Sequence, residues 1–253
     1  MRKVIYTSIV GGYDSLRQPE VIDSSFDYVC FSDDFKELKV GVWEIRPIPC
    51  DLTDPTRRSR YAKILPHRVL PEYEISLWMD ANIAVADKAF YEAVEDKIAS
   101  EAVIAQVPHP YRNCVYDEIA QCYRDARISL RDALRQLRHL EAEGFPRQFG
   151  LFENNLILRR HNDPSVVRVS EGWWKEYMSY SKRDQLSLMP VYWKEGLLPG
   201  LLLGEGVNSR NTPLLDVVKH PGTLSVTSSR GLRRLPFKVR WSFRKLLSSI
   251  FLR

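Results

Sequence analysis

Apolar, β-branched runs recur along the chain at Val4 to Val10, Tyr28 to Phe31, Ile75 to Met79, Val103 to Val107 and Leu156 to Leu158. Each run is short and β-branched, which predicts strands. Helical spacing fills several of the gaps. Asp54-Pro55 is an N-cap followed by proline at the first helical position, and it predicts a helix that stops before Pro66. A longer helix is predicted from about Asn113 to Glu143, closed by Gly144. Strands alternating with helices define an α/β class with a largely parallel central sheet. No repeat or low-complexity stretch interrupts residues 1–229, and the joint at Ser228-Ser229-Arg230-Gly231 divides that body from a tail, residues 230–253.

With 253 residues, 44% hydrophobic and 27% charged, the chain is long enough for one sizeable core, which excludes a disordered, collagenous or disulfide-stapled protein. Its formal charge of +5 changes meaning once located. Residues 230–253 hold eight Lys and Arg and no acid, a local +8, so the body carries −3 of the total of +5. The tail interleaves these cations with Phe237, Trp241, Phe243, Leu246, Leu247, Ile250 and Phe251, the pattern of a segment lying on an anionic membrane surface. A C-terminal helix packed on the body with a solvated basic face is the alternative. No recognition motif accompanies the cations, so nucleic acid is not expected as a partner.

No stretch approaches the roughly 18 consecutive apolar residues of a spanning helix. Met1-Arg2-Lys3 leads into a short, Gly-terminated apolar run without a cleavage site, which reads as a first strand rather than a signal peptide. Cys30, Cys50, Cys114 and Cys122 contain no C-x-x-C and suit buried thiols in a reducing compartment. The expected location is cytoplasmic, peripherally associated with the inner face of the membrane.

In an open parallel sheet, ligands bind beyond the carboxyl ends of the strands. The first run ends in Gly11-Gly12-Tyr13-Asp14, where glycines admit close backbone approach and Tyr13 is suited to stacking on a base; a simple turn accounts for it equally well. The second ends in Asp33-Asp34, suited to a base or ribose but also routine turn formers. Ser76-Leu77-Trp78-Met79 runs straight into Asp80-Ala81-Asn82. A carboxylate against an apolar strand is costly unless compensated, and alternate residues share a side, so Asp80 and Asn82 are placed to offer oxygen to one hard cation bridging to a diphosphate. Arg57, Arg60 and Lys63 recur every three residues on the helix just upstream and share roughly one face, as a diphosphate site would use.

The runs Tyr6-Thr7-Ser8-Ile9-Val10-Gly11-Gly12-Tyr13-Asp14, Tyr28-Val29-Cys30-Phe31-Ser32-Asp33-Asp34, Arg60-Tyr61-Ala62-Lys63-Ile64-Leu65-Pro66-His67 and Ser76-Leu77-Trp78-Met79-Asp80-Ala81-Asn82 together resemble the glycosyltransferase-like domain family of mucilage-related and turgor-regulation-defect proteins. That family is known in plants and also in bacteria, and the chain is read as a bacterial member. Later segments continue the resemblance in order: His109 with Cys114-Val115-Tyr116 and Glu118, Phe149-Gly150-Leu151-Phe152-Glu153, and Ser181-Lys182-Arg183-Asp184-Gln185-Leu186-Ser187. The resemblance implies a GT-A fold: a Rossmann-like α/β nucleotide-diphospho-sugar transferase domain whose D-x-D motif holds a divalent cation, Mn²⁺ or Mg²⁺, against a sugar nucleotide.

A more distant similarity, to retaining enzymes of the glycogenin and galactosyltransferase type, implies roles for single residues. Asp80 and Asn82 stand at the D-x-D, with Asn82 departing from its second acid, and His220 completes the metal shell. Glu153-Asn154-Asn155 stands at the strand that touches the donor sugar, and Asp184-Gln185 at the D-Q motif. Thr7, Tyr13, Asp33, Asp34, Arg57, Arg60, Lys63 and His109 are the further donor-site candidates. Asp184 and Glu153 are the catalytic candidates, although Ser181 to Asp184 also reads as a capping box. The implied activity is transfer of a sugar from a nucleotide donor to a glycan or lipid-linked acceptor in cell-surface polysaccharide synthesis. A metal-dependent lipid amidase and a non-catalytic membrane scaffold are the alternatives.

Overall fold

The computed structural model describes residues 1–218, 242, 244–247 and 249–250. The chain opens with β1 (Lys3–Ile9) and β2 (Phe26–Ser32), then a short β3 (Lys39–Val40) and β4 (Trp43–Arg46). Helix α1 (Pro55–Ile64) follows, with α2 (Pro66–Val69), β5 (Ile75–Met79), β6 (Ile83–Val85), α3 (Ala89–Ala99) and β7 (Ile104–Pro108). Next come α4 (Val115–Arg124), α5 (Leu130–Ala142), β8 (Phe152–Arg159) and α6 (Pro164–Ser179). A 3-10 turn (Asp184–Leu186) leads to α7 (Leu188–Glu195), β9 (Gly200–Leu201) and β10 (Leu215–Val217).

Eight strands form one sheet in the order β3-β4-β2-β1-β5-β8-β7-β9, and β6 pairs with β10 in a separate ribbon. The β1/β2, β2/β4, β1/β5 and β7/β9 pairs are parallel. Strand β8 runs antiparallel between β5 and β7, and β3 folds back antiparallel on β4. This is the expected α/β class with a large, mostly parallel central sheet. The reversed β8 brings its first residues, Phe152 to Asn155, to the edge where the parallel strands deliver their carboxyl ends.

Alternation along β1 explains the two layers. Val4 and Tyr6 face one core with Val29, Phe31, Ala62, Ile64 and Trp173, while Ile5 and Ile9 face another with Cys30, Leu77, Phe90 and Val94. Helix α1 begins where expected: the Asp54 carboxylate accepts from Arg57 N, with Pro55 at the first helical position. Trp173 and Tyr177 of α6 are core residues, as the periodicity of that helix requires.

The single helix expected from 113 to 143 is two. Ala126, at a left-handed φ of 60°, ends the first; Ser129 caps the second by accepting from Asp132 N. Among the described residues no helix is long and apolar enough to cross a membrane. Of the tail, Arg244 is buried and donates from Nη1 to Tyr123 O at 2.8 Å, its guanidinium 5.0 Å from the Tyr123 ring centroid. Leu247 packs against the first core, and Leu246 and Ile250 are exposed. At Arg244 and Leu247 the tail touches the body.

Candidate functional site

Four cation- and carboxylate-bearing residues meet where the carboxyl end of β5 faces the last turn of α1. Lys63 has a side chain only 2% exposed, and its Nζ lies 2.6 Å from Asp184 Oδ2 and 3.3 Å from Asp80 Oδ1. Arg60 Nε lies 3.3 Å from the same Asp184 oxygen. Trp78, two residues before Asp80 on β5, donates from Nε1 to Asp80 Oδ1 at 2.7 Å. A single buried ammonium therefore joins the D-x-N segment to the Asp184-Gln185 pair. Helix spacing put Arg60 and Lys63 on one face; the depth of Lys63 comes from the layer that α1 packs against.

Asp184 opens the 3-10 turn and does not act as a cap. Its burial pushes the carboxyl toward protonation, but the charges of Lys63, Arg60 and Arg183 outweigh this and hold it well below the ordinary carboxylate range. Burial acts against the Arg60 charge as well, and Asp184 and Asp80 more than offset it, so the guanidinium is held more firmly protonated than usual. Beneath the cluster, Arg159 of β8 is fully buried and donates to Lys63 O at 2.7 Å and to the Tyr6 hydroxyl. Tyr6 Oη donates to Lys63 O as well. Lys63 is thus held through both its carbonyl and its side chain. Trp78, Arg159 and Tyr6 carry no signal of this role in the sequence beyond the oddity of an arginine at the end of an apolar strand.

Asn82 is turned to its neighbour: Nδ2 donates to Val218 O at 2.7 Å, and Val218 N donates back to Asn82 O. His220 lies outside the described residues, two positions beyond this contact. Asn155 accepts Asp80 N at its carbonyl and donates from Nδ2 to Ser209 Oγ, leaving Oδ1 buried with no hydrogen-bond partner among the described residues. Asn154 accepts from Gln106 at Oδ1, and its buried Nδ2 is likewise unpartnered among them. Gln185 accepts from Asn154 N and donates to Phe152 O at 2.6 Å, locking the 3-10 turn to the start of β8. Buried polar atoms without partners are rare in folded proteins, and their position here is what a polar ligand would satisfy.

Other expected residues have structural employment. Asp34 accepts from the Gly11 and Gly12 amides, closing a turn in which both glycines have positive φ, 73° and 62°. Asp33 pairs with Arg58, a residue of α1 not anticipated in the site. Tyr13 beside that turn is 54% exposed. Thr7 is fully buried midway along β1 between Ile5 and Ile9 and is not brought to the rim. Arg57 lies on the face of α1 that carries Arg60, its Nε buried without a hydrogen-bond partner among the described residues. Glu153 is buried, accepting from Ser209 N and Oγ at one oxygen and ion-paired to Arg210 at the other. His109 accepts the Tyr111 and Arg112 amides at Nδ1, and burial lowers its pKa to about 4.

Charged groups thus cluster at the carboxyl edge of a mixed, mostly parallel sheet, where open α/β domains bind their ligands. Residues 1–197 match the model of the family described as TOD1/MUCI70, glycosyltransferase-like domain, and the chain belongs to that family. No curated protein matches the sequence. Among solved structures, the chain is similar to the bifunctional glycosyltransferase WbbM in its apo form, at 12% identity and a TM-score of 0.47, covering 99% of this chain and 44% of that one. It is also similar to galactosyltransferase LgtC in complex with donor and acceptor sugar analogs, at 10% identity and a TM-score of 0.42, covering 75% of this chain and 69% of that one. Mouse xyloside xylosyltransferase 1, apo form, gives 12% identity and a TM-score of 0.43, with 79% and 84% covered.

Proposed function

We propose that the protein moves a sugar from a nucleoside-diphosphate donor to a glycan or lipid-linked acceptor in cell-surface polysaccharide synthesis, at the cytoplasmic face of an anionic membrane. The observation that carries this reading is the buried Lys63 ammonium between Asp80 and Asp184, with Arg60 and Arg57 on the same helix face. Cations held before the reaction starts, in a site that excludes water, stabilise charge that builds on a leaving diphosphate at no reorganisation cost. Tyr13 and the Gly11-Gly12 turn, at the β1 end of the edge, supply a stacking surface and close backbone approach for the nucleoside.

Two acidic candidates are already committed to partners. Glu153 is held by Arg210 and Ser209, and Asp184 is kept ionised far below the range in which a carboxylate takes up a proton at neutral pH. A general base works best with a pKa near the working pH. Both residues are better suited to positioning and charge balance, which favours a transfer that needs no enzymic base and so favours retention.

Among the described residues no three His, Cys, Asp or Glu side chains gather into a metal-binding group. Oxygen donors of the kind Mn²⁺ and Mg²⁺ prefer are present nonetheless: the second oxygen of Asp80, Oδ1 of Asn82 and the unpartnered Oδ1 of Asn155. His220, outside the described residues, is proposed as a further ligand. A divalent cation bound there would neutralise part of the diphosphate charge. Residues 230–253 are proposed to bring this site to anionic lipid, through the basic, apolar tail whose Arg244 and Leu247 are anchored on the body.

The test is a thermal-shift screen of nucleotide sugars with and without Mn²⁺, followed by a donor-hydrolysis assay. Binding to the native state alone raises apparent stability. The reading expects a shift with at least one nucleotide sugar and hydrolysis that Asp80→Ala abolishes; no shift with any of them refutes it.

A further inference from the structure

Tyr111 is 71% exposed, yet the loop that presents it is tied to the body by backbone hydrogen bonds. His109 N donates to Leu151 O, and Gly150 N donates to Asn113 O, closing the loop against the start of β8 from both sides. Between these ties, the amides of Tyr111 and Arg112 both donate to His109 Nδ1, at 3.3 and 3.2 Å. Two guanidiniums stand over the ring at the outer limit of a cation–π contact, Arg112 at 6.0 Å and Arg210 at 5.9 Å from its centroid, with the His109 ring edge-on at 6.1 Å. Each arginine is fixed by a buried carboxylate, Arg112 by Glu118 and Arg210 by Glu153. An aromatic ring still 71% exposed, with N–H donors fixed near it, contributes little to the core and is built to meet something.

We propose that Tyr111 is the stacking platform for a pyranose ring of the acceptor glycan, with Arg112 and Arg210 as donors to its hydroxyl oxygens. The proposal rests on the glycosyl-transfer reading and names the acceptor's place in that site. The ligand class follows from the chemistry. A sugar presents a C–H face that packs on an aromatic ring and a rim of hydroxyls that accept from N–H groups. Both guanidiniums are already balanced by carboxylates, so the platform needs no anion. Its position agrees: Tyr111 follows β7, and Arg210 reaches it from Glu153 of β8, whereas the Gly11-Gly12 turn and Tyr13 lie at the β1 end. The Asp80–Lys63–Asp184 cluster lies between these two sides. A rigid, preformed surface also spares the ordering cost of binding.

The experiment is an oligosaccharide array of cello-, xylo-, manno-, galacto- and chito-oligosaccharides, probed with the full chain and with Tyr111→Ala and Tyr111→Phe. The expected result is binding to at least one series, weakened about tenfold or more by Tyr111→Ala and retained by Tyr111→Phe, which keeps the ring. Melting of each variant confirms that it is folded. Binding to none of the series, or binding that survives Tyr111→Ala, overturns the proposal. Calorimetric titration of the unaltered protein with uridine and guanosine diphosphates is run beside it. Loss of that signal alone counts against the donor reading, whereas a failed array with intact nucleotide binding counts against the platform alone.

Discussion

Lys63→Met retains the aliphatic stem and removes the ammonium that lies 2.6 Å from Asp184 and 3.3 Å from Asp80. Deleting one member of a buried ion pair costs about 3–5 kcal/mol, because the other charge is left without its partner. Arg60, 3.3 Å from Asp184, and Arg183 nearby remain as partial compensation, which places the expected loss at the lower end, about 3 kcal/mol. For a domain of this size that corresponds to about 6–12 °C in melting temperature. Lys63→Met/Asp184→Asn removes both charges, and a cycle with the two single variants should show a coupling of about 0.5–3 kcal/mol.

The pH dependence of the same variants has a definite sign. Asp184 has a folded-state pKa below its unfolded value of about 3.9, so the pair's contribution is complete above that value and is lost as pH falls through the folded one. In Lys63→Met the largest opposing charge is gone, the folded value rises, and the loss begins at a higher pH. Urea unfolding monitored by tryptophan fluorescence across acidic to neutral pH measures both effects. A cost below about 1 kcal/mol, or superimposable pH profiles, would mean that the ammonium is not where the cluster needs it.

Asn82→Asp restores a second acid to the motif and should strengthen Mn²⁺ binding in a calorimetric titration, while losing the amide donor to Val218 O at a cost of about 1 kcal/mol; unchanged Mn²⁺ affinity argues against the segment as a ligand. His161 is buried and His109 largely so, and desolvation lowers both pKa values to about 4, so imidazole NMR should show both neutral at pH 6. Their contribution to stability is present above the ordinary histidine value of about 6.5 and is lost as pH falls toward 4. Arg244→Ala removes a buried guanidinium bonded to Tyr123 O and should cost about 1.5–3 kcal/mol in denaturant unfolding; no cost would mean the docking contact is not formed in solution. Deleting residues 230–253 should release the protein from liposomes containing phosphatidylserine; retention on them would place the membrane contact elsewhere.

Much of the sheet was readable because strands covered on both faces leave continuous apolar runs, and β1, β2, β5 and β7 do so. Strand β8 read as three residues because its first half, Glu153-Asn154-Asn155, is polar where it borders the site. The break between α4 and α5 left no glycine or proline to announce it; it depends on a left-handed alanine and a serine cap. Motif order identified Asp80 and Asp184, and helix spacing offered Lys63 as a cation for a diphosphate, but nothing in the sequence showed that its ammonium joins the two carboxylates. Arg159 was invisible for a different reason: its partners, Tyr6 and Lys63, are 153 and 96 residues away, and only the finished sheet brings them together.

Arg159 has a further bearing on the site it supports. Its guanidinium cannot be titrated off in a protein, and its hydrogen bonds go to a phenol and a carbonyl rather than to an acid. Counted with Lys63, Arg60 and Arg183, it gives the cluster four cations against the two carboxylates of Asp80 and Asp184, with Glu118 a more distant acid acting on Arg183. On the proposed donor-binding reading, a diphosphate settling there would meet this surplus of fixed positive charge and offset it, in addition to making its own contacts.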